Sequence, residues 1–385
     1  KMFKYLVFYL FGLSFLNADS FLDTKKEFEA YKASQQMSFE SYQKKQLDTI
    51  KEYKDALNTL WDEPTLTSQN NLISYTPDQK TRTNIDFKNE EIIIETLALS
   101  EQEANKKLKK ALQRAVTVDT KSVYKNDSLE QKLSTIKKPT LMKTSKINSQ
   151  AILTPVIFSQ EPTKNSVQQY VNKHIQYKNI KVTKSTKIKH SRIYTTRIKM
   201  PPNSIIKRSK IYHKIIKKEA LRQKIPMPLV FAIIHSESSF NPLAKSHIPA
   251  FGLMQIVPKT AGRDAYKFLY NKDNLVSGEY LYNSENNIKM GTAYLHILYY
   301  RYLKSIKDED SRLYCTIAAY NTGAGNVAWA FTKKNDVKSA AQVINTMKSQ
   351  AVYNYLLRYL KYDEPKHYLK QVRSRMPVYH KLYGV

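Results

Sequence analysis

One acidic residue is set apart by its surroundings. Glu237 closes the run Pro228-Leu229-Val230-Phe231-Ala232-Ile233-Ile234-His235-Ser236-Glu237, and Ser238-Ser239-Phe240-Asn241-Pro242 follows. Pro228 suits the first turn of a helix and Asn241-Pro242 ends one. A helix apolar on nearly every face must be buried, yet this one delivers a carboxyl at its C-terminal end. Desolvation and the negative end of the helix dipole both disfavour ionisation there. The pattern predicts a raised pKa, and so a carboxylic acid able to protonate a leaving oxygen near neutral pH. The bland alternative is an ordinary surface cap, and only the residues further along the chain rank catalysis above it.

Those residues are neutral and polar. Ser246 is followed by Ala250-Phe251-Gly252-Leu253-Met254-Gln255-Ile256-Val257-Pro258, a glycine turn with one glutamine in an apolar stretch. Thr316-Ile317-Ala318-Ala319-Tyr320-Asn321-Thr322-Gly323-Ala324-Gly325 ends a buried helix with Tyr-Asn before glycines suited to a C-terminal turn. Amides, hydroxyls and aromatic rings are what sugar recognition uses, although Gln255 alone could be a satisfied core amide and Tyr320 simple packing. No metal and no cofactor is expected. His235 and Glu237 lack the second histidine of a zincin helix, and no strand precedes Gly323-Ala324-Gly325 to build a phosphate loop.

The ordered set Glu237-Ser238, Gly252-Leu253-Met254-Gln255, Ala319-Tyr320-Asn321 and Tyr368-Leu369-Lys370-Gln371-Val372 resembles the lytic transglycosylases, whose catalytic module has a goose-lysozyme-like helical fold. Within them the resemblance is closest to the membrane-bound lytic murein transglycosylase C group. Glu237-Ser238-Ser239-Phe240-Asn241-Pro242, Thr260-Ala261-Gly262, Gly291-Thr292-Ala293-Tyr294-Leu295 and Ile344-Asn345-Thr346-Met347 look like that group's segments, over about Lys199 to Tyr383. A fainter likeness to the group's N-terminal domain runs through Tyr75-Thr76-Pro77-Asp78-Gln79-Lys80-Thr81-Arg82 and Ile92-Ile93-Ile94-Glu95-Thr96.

The resemblance implies peptidoglycan glycan strands as substrate and a lyase reaction that closes a 1,6-anhydro ring on the muramic sugar. Glu237 would be the single acid and base. Ser246 and Gln255 would position the sugar's acetamido group and the acid, Tyr320 and Asn321 would line the sugar subsite, and Tyr368 would hydrogen-bond near Glu237. A glycosidase ordinarily needs two carboxylates, but Glu219, Asp264 and Asp273, the nearest acids in sequence, sit outside the motifs, so one carboxylate is expected. A hydrolytic lysozyme-type muramidase would share the fold and the acid and add a second carboxylate. A non-catalytic wall-binding protein is the alternative from another class.

Around these residues the expected architecture is mostly α: an all-α lysozyme-like C-terminal domain over 201–385, helical almost throughout after Ser209, with a smaller α+β N-terminal domain. In that smaller domain a long polar helix or helix pair is read from Thr24 to Trp61. The runs Thr83-Asn84-Ile85-Asp86-Phe87 and Ile92-Ile93-Ile94-Glu95 flank Lys88-Asn89-Glu90 as a hairpin, and a charged helix follows over Glu101 to Val116. The N-terminal domain is assigned to 20–117. A flexible linker or insertion, rich in Lys, Ser and Thr without sustained period, is assigned to 118–166. A strand-rich connection over 167–200 would complete the N-terminal domain.

Lys1 and Lys4 flank an apolar run from Tyr5 to Leu16, followed by Asn17 and Ala18, which reads as an export signal over 1–18. The run is too short to span a membrane as a mature helix, and an uncleaved interfacial anchor is the rival reading. The expected location is therefore the periplasm, with membrane association through the N-terminus. The group is usually lipid-anchored, whereas no cysteine lies near this segment. The one cysteine, Cys315, excludes an internal disulfide framework.

With 63 Lys+Arg against 33 Asp+Glu the chain carries +30, which concentrates polyanions. Most of that excess is lysine spread along the chain as compositional bias. A nucleic-acid partner would need a basic stripe with interleaved aromatics on one element and is counted against by the export signal.

Overall fold

The computed structural model describes residues 26, 27, 30, 34, 37–247 and 249–384, so the expected export segment and much of the first helix's start lie outside the described residues. Helix α1 spans 37–57, and three antiparallel strands follow: β1 (Asn71–Tyr75), β2 (Thr81–Asp86) and β3 (Glu91–Ala98). The expected hairpin is the β2–β3 pair, with Ile85 opposite Ile92 and Thr83 opposite Ile94. Burial alternates along β2 with the period of two that its sequence shows. Helix α2 (Glu101–Thr117) starts at Ser100, whose hydroxyl accepts the Glu103 N–H, while the Glu103 carboxylate accepts the Leu99 N–H and pairs with Lys107. Its buried Ala104, Leu108, Leu112 and Val116 pack on the sheet.

Residues 118–166 carry regular structure where a linker without sustained period was expected. They hold α3 (Thr120–Asn126), α4 (Ser128–Ser134), β4 (Met142–Lys143), α5 (Thr154–Ile157) and the start of α6 (Lys164–His174). The ordering is tertiary. Asn283 donates to Asn148 at 2.7 Å, Ser284 to Gln150 at 2.9 Å and Asn274 to the Leu141 carbonyl at 2.9 Å, while Lys138 pairs with Glu279 and Lys245 with Glu130. The segment thus clasps the helical domain through polar side chains and through scattered buried apolar ones, Ile147, Ile152 and Leu153 among them, too irregularly spaced to show a period.

Strands β5 (Lys181–Lys184) and β6 (Arg192–Lys199) then join the sheet, giving the order β1-β2-β3-β6-β5. Because β6 pairs with β3, the 167–200 stretch completes the N-terminal sheet.

From α7 (Ser204–Gln223) onward the chain is helical, through α8 (Met227–Ser238), α9 (Arg263–Tyr270), α10 (Gly278–Tyr282), α11 (Ser284–Ile297), α12 (Glu309–Thr322), α13 (Ala324–Thr332), α14 (Val337–Ile344), α15 (Ser349–Tyr359) and α16 (Asp363–Tyr383). One strand interrupts the all-helical expectation: β7 (Leu275–Val276) pairs in parallel with β4. The fold is mostly α, with the sheet confined to the N-terminal part. A single apolar cluster runs from Ile92, Ile94 and Leu108 through to Val230, Phe231 and Ile233 of α8. Arg208, 1% exposed, bridges the halves from α7: its guanidinium lies over the Phe87 ring and donates to the Phe87 carbonyl at 2.7 Å.

Candidate active site

Helix α8 is buried from Met227 to Ile234 on all faces, which is why it can carry Glu237 into the interior. It stops where the sequence indicates. Ser239 and Phe240 both adopt left-handed backbone, with φ of 51° and 63°, and the Ser239 N–H closes on the His235 carbonyl. The turn after it is held from the N-terminal domain. Ser239 donates to Asn70 at 2.9 Å, and fully buried Asn241 donates to the carbonyls of Ser68 and Gln69 just ahead of β1.

Glu237 is 8% exposed. Burial pushes its carboxyl from the ordinary value up to about 8; the nearby Tyr368 hydroxyl partly offsets this, and the negative charge of Glu364 adds to it. The acid is therefore protonated at neutral pH. The Tyr368 hydroxyl is itself buried and meets no partner in full hydrogen-bond geometry among the described residues, so it stands beside the carboxyl rather than locked to it.

The loop carrying Gln255 is fixed against α8 and α11. Ser238 donates to the Leu253 carbonyl at 2.8 Å, while fully buried Asn287 accepts the Met254 N–H and donates to the carbonyls of Phe251 and Leu281, each at 2.8 Å. Gly252 has φ +73°, and a Cβ there would collide with the Asn287 amide and the Leu281 carbonyl. Gln255, at φ 47°, donates its amide to the Gly252 carbonyl at 3.0 Å, leaving its buried side-chain oxygen without a partner among the described residues. Tyr320 on α12 donates to the Met254 carbonyl at 2.8 Å and packs on Tyr294. Burial pushes the Tyr320 and Tyr368 hydroxyls far above their ordinary value, and the Glu237 charge adds to both shifts, which places both near the acid.

The structure thus gathers Glu237, Tyr320 and Tyr368, with Gln255 beside Met254 on the same loop. Asn321 donates to Glu364 at 3.2 Å. The described contact of Ser246 closes the loop before the glycine turn, its hydroxyl accepting the Ala250 N–H at 3.2 Å. Glu219 is paired with Arg222, Asp273 with Arg263, and Asp264 accepts from Tyr302, so none of the three acids nearest in sequence is recruited.

Sequence reasoning missed Glu364. It lies one helical turn before Tyr368 on α16, whose first turn Asp363-Glu364 open as acidic residues should. It also missed Asn287, the anchor of the Gln255 loop, which nothing in the polar opening Ser284-Glu285-Asn286-Asn287 of α11 singles out. Among the described residues no group of three or more His, Cys, Asp or Glu side chains is placed to hold a metal ion.

Residues 214–343 match the family model described as the transglycosylase SLT domain, and residues 40–211 match that of the membrane-bound lytic murein transglycosylase C, N-terminal domain. The second match runs through 118–166. The first ends short of α16, so the placement of Tyr368 and Glu364 rests on geometry. Similar proteins include the membrane-bound lytic murein transglycosylase C of Photorhabdus laumondii, 42% identical over 188 residues, covering 49% of this chain and 52% of that protein. The protein of the same name from Yersinia pestis is 41% identical over 182 residues, covering 47% and 50%. The chain spans about half the length of these relatives. The 70 kDa soluble lytic transglycosylase of Escherichia coli is 27% identical, with 45% of this chain and 24% of that one covered at a TM-score of 0.35.

Proposed function

We propose that this chain cuts peptidoglycan glycan strands between N-acetylmuramic acid and N-acetylglucosamine without consuming water, a reading supported by its matches to the models of the transglycosylase SLT domain and of the membrane-bound lytic murein transglycosylase C, N-terminal domain. The observation that carries this reading is the buried acid: Glu237 holds its proton to about pH 8 at the end of an apolar helix, beside two tyrosine hydroxyls.

The steps follow from that state. Glu237 gives its proton to the bridging oxygen as the C1–O bond breaks, and the muramoyl acetamido group stabilises the cation that forms. The carboxylate left behind is desolvated and more basic than an ordinary one, so it takes the proton of the muramoyl C6 hydroxyl as that oxygen bonds to C1. A 1,6-anhydro ring results, and the acid is regenerated. Gln255 supports this route because its unpaired buried oxygen can accept the acetamido N–H, satisfying a group that otherwise costs about 1–3 kcal/mol. Tyr320 and Asn321 line the sugar subsite, Tyr368 steadies the carboxyl, and Ser246 shapes the loop on the acetamido side. The substrate puts the enzyme on the wall side of the cytoplasmic membrane, in keeping with relatives named membrane-bound. No helix of the described residues is long and apolar enough to cross a membrane.

The second reading, a hydrolytic muramidase, is favoured by one observation: Glu364 is a carboxylate close enough to act on Glu237. Incubating the protein, and its Glu237→Gln variant, with purified sacculi and weighing the released muropeptides separates the two. Products one water lighter than reducing muropeptides, absent with the variant, support the lyase. Ordinary reducing ends would give the reaction to hydrolysis.

A further inference from the structure

Between the β2–β3 turn, α7, α8 and α16 lies a cavity of about 360 Å³ that the proposed reaction does not use. Lys88 and Glu90 from the β2–β3 turn, Arg208 from α7, His235 and Ser236 from α8, and Arg375 from α16 line it. Three cations therefore face one carboxylate. That carboxylate is already engaged: Glu90 accepts the Ile205 N–H at 2.7 Å and sits 3.6 Å from Arg208. Arg375 donates to the Ser236 hydroxyl at 2.7 Å and has no carboxylate partner among the described residues. The Nε of Arg208 is buried and likewise unpartnered among them. His235 adds no charge of its own, because burial and the two arginines push its pKa down to about 3, and Tyr379 binds its Nδ1 at 3.0 Å.

A partly buried guanidinium without a carboxylate partner among the described residues, as at Arg375, is costly unless an anion completes it, and guanidinium groups present paired donors that match a carboxylate. Position selects the anion. Arg375 follows Tyr368 by seven residues on α16, the same helix face about 10 Å further on. A strand whose muramic sugar sits at Glu237 carries its stem peptide from the lactyl group of that sugar, and stem peptides end in free carboxylates.

We propose that this cavity is an anion subsite that takes a stem-peptide carboxylate of the glycan strand, so that the enzyme distinguishes peptide-bearing from naked strands. The inference rests on the peptidoglycan reading above.

The test measures binding calorimetrically in the Glu237→Gln protein, where no turnover occurs, using a muramic disaccharide with its stem peptide and the same disaccharide freed of it. The peptide-bearing fragment is expected to bind more tightly. Adding Arg375→Gln should cut the affinity ratio between the two fragments about tenfold, the worth of one charge-assisted hydrogen bond, and Arg375→Lys should recover part of it. Lys88→Gln, at an exposed turn position where folding is not at stake, should move the ratio in the same direction. An unchanged ratio in both variants, or an equal loss for both fragments with Arg375→Gln, would overturn the subsite while leaving the reaction untouched. If neither fragment binds, the peptidoglycan reading fails and takes the subsite with it.

Discussion

Replacing Glu237 by glutamine should change how stability depends on pH, by an amount set by the burial of the acid. In the folded chain the carboxyl keeps its proton to about pH 8, whereas its ordinary value is 4.5. Between those values the folded state holds a proton that the unfolded state has released. The contribution of this site is therefore fully present below pH 4.5 and is lost as pH rises towards about 8. Each pH unit inside the window is worth about 1.4 kcal/mol, so roughly 4 kcal/mol is lost between about pH 5 and pH 9. Glutamine has nearly the shape of the protonated acid and does not titrate. The two proteins should be matched near pH 5, with the variant more stable by about 3 kcal/mol at neutral pH and about 4 kcal/mol at pH 9. Urea unfolding of both across that range measures this directly, because every other titrating group cancels in the difference. A stability difference that stays constant within about 1 kcal/mol would mean that Glu237 is ionised in the folded protein at neutral pH, and the argument for a general acid would collapse.

Other perturbations separate the roles of its neighbours. Tyr368→Phe removes a hydroxyl that lowers the Glu237 pKa, so the alkaline limb of the activity profile should move upwards while kcat falls about tenfold or more; an unmoved limb would detach Tyr368 from the acid. Folding should tolerate that change, because the hydroxyl is buried without a full partner among the described residues. Glu364→Gln removes a like charge and should shift the same limb downwards, with anhydro products persisting; loss of reducing ends in their place would reveal Glu364 as the second carboxylate of a hydrolase. Gly252→Ala forces a Cβ into the Asn287 amide at a backbone angle that disfavours it, and should cost about 2–4 kcal/mol in thermal unfolding; near-wild-type stability would mean the loop is not fixed as described.

Much of the site was legible because its signals are local. A run apolar on every face, bounded by Pro228 and Asn241-Pro242, specifies a buried helix and its end, and with them a desolvated Glu237, before any fold is known. The β2–β3 hairpin and α2 are local in the same way, through alternation and a capped start. Helix α16 was not legible past its acidic first turn. Pro377 sits inside it, and the helix is set by packing against α8 rather than by a pattern of its own.

What the sequence determined by itself is the chemistry that short-range physics imposes: the helix, its stop, the acid at its end and the glycine turn before Gln255. What the tertiary structure decided is everything that depends on elements far apart in the chain. It brought Glu364 from α16 within electrostatic reach of Glu237, gave 118–166 its order through side chains of the helical domain, and set Asn70 and Ser68 against the turn that ends α8. It also enclosed Lys88, Arg208 and Arg375 in one cavity. Charges and hydrogen bonds act over a few ångströms in space regardless of separation along the chain, so no local pattern can announce which distant partners folding will bring together.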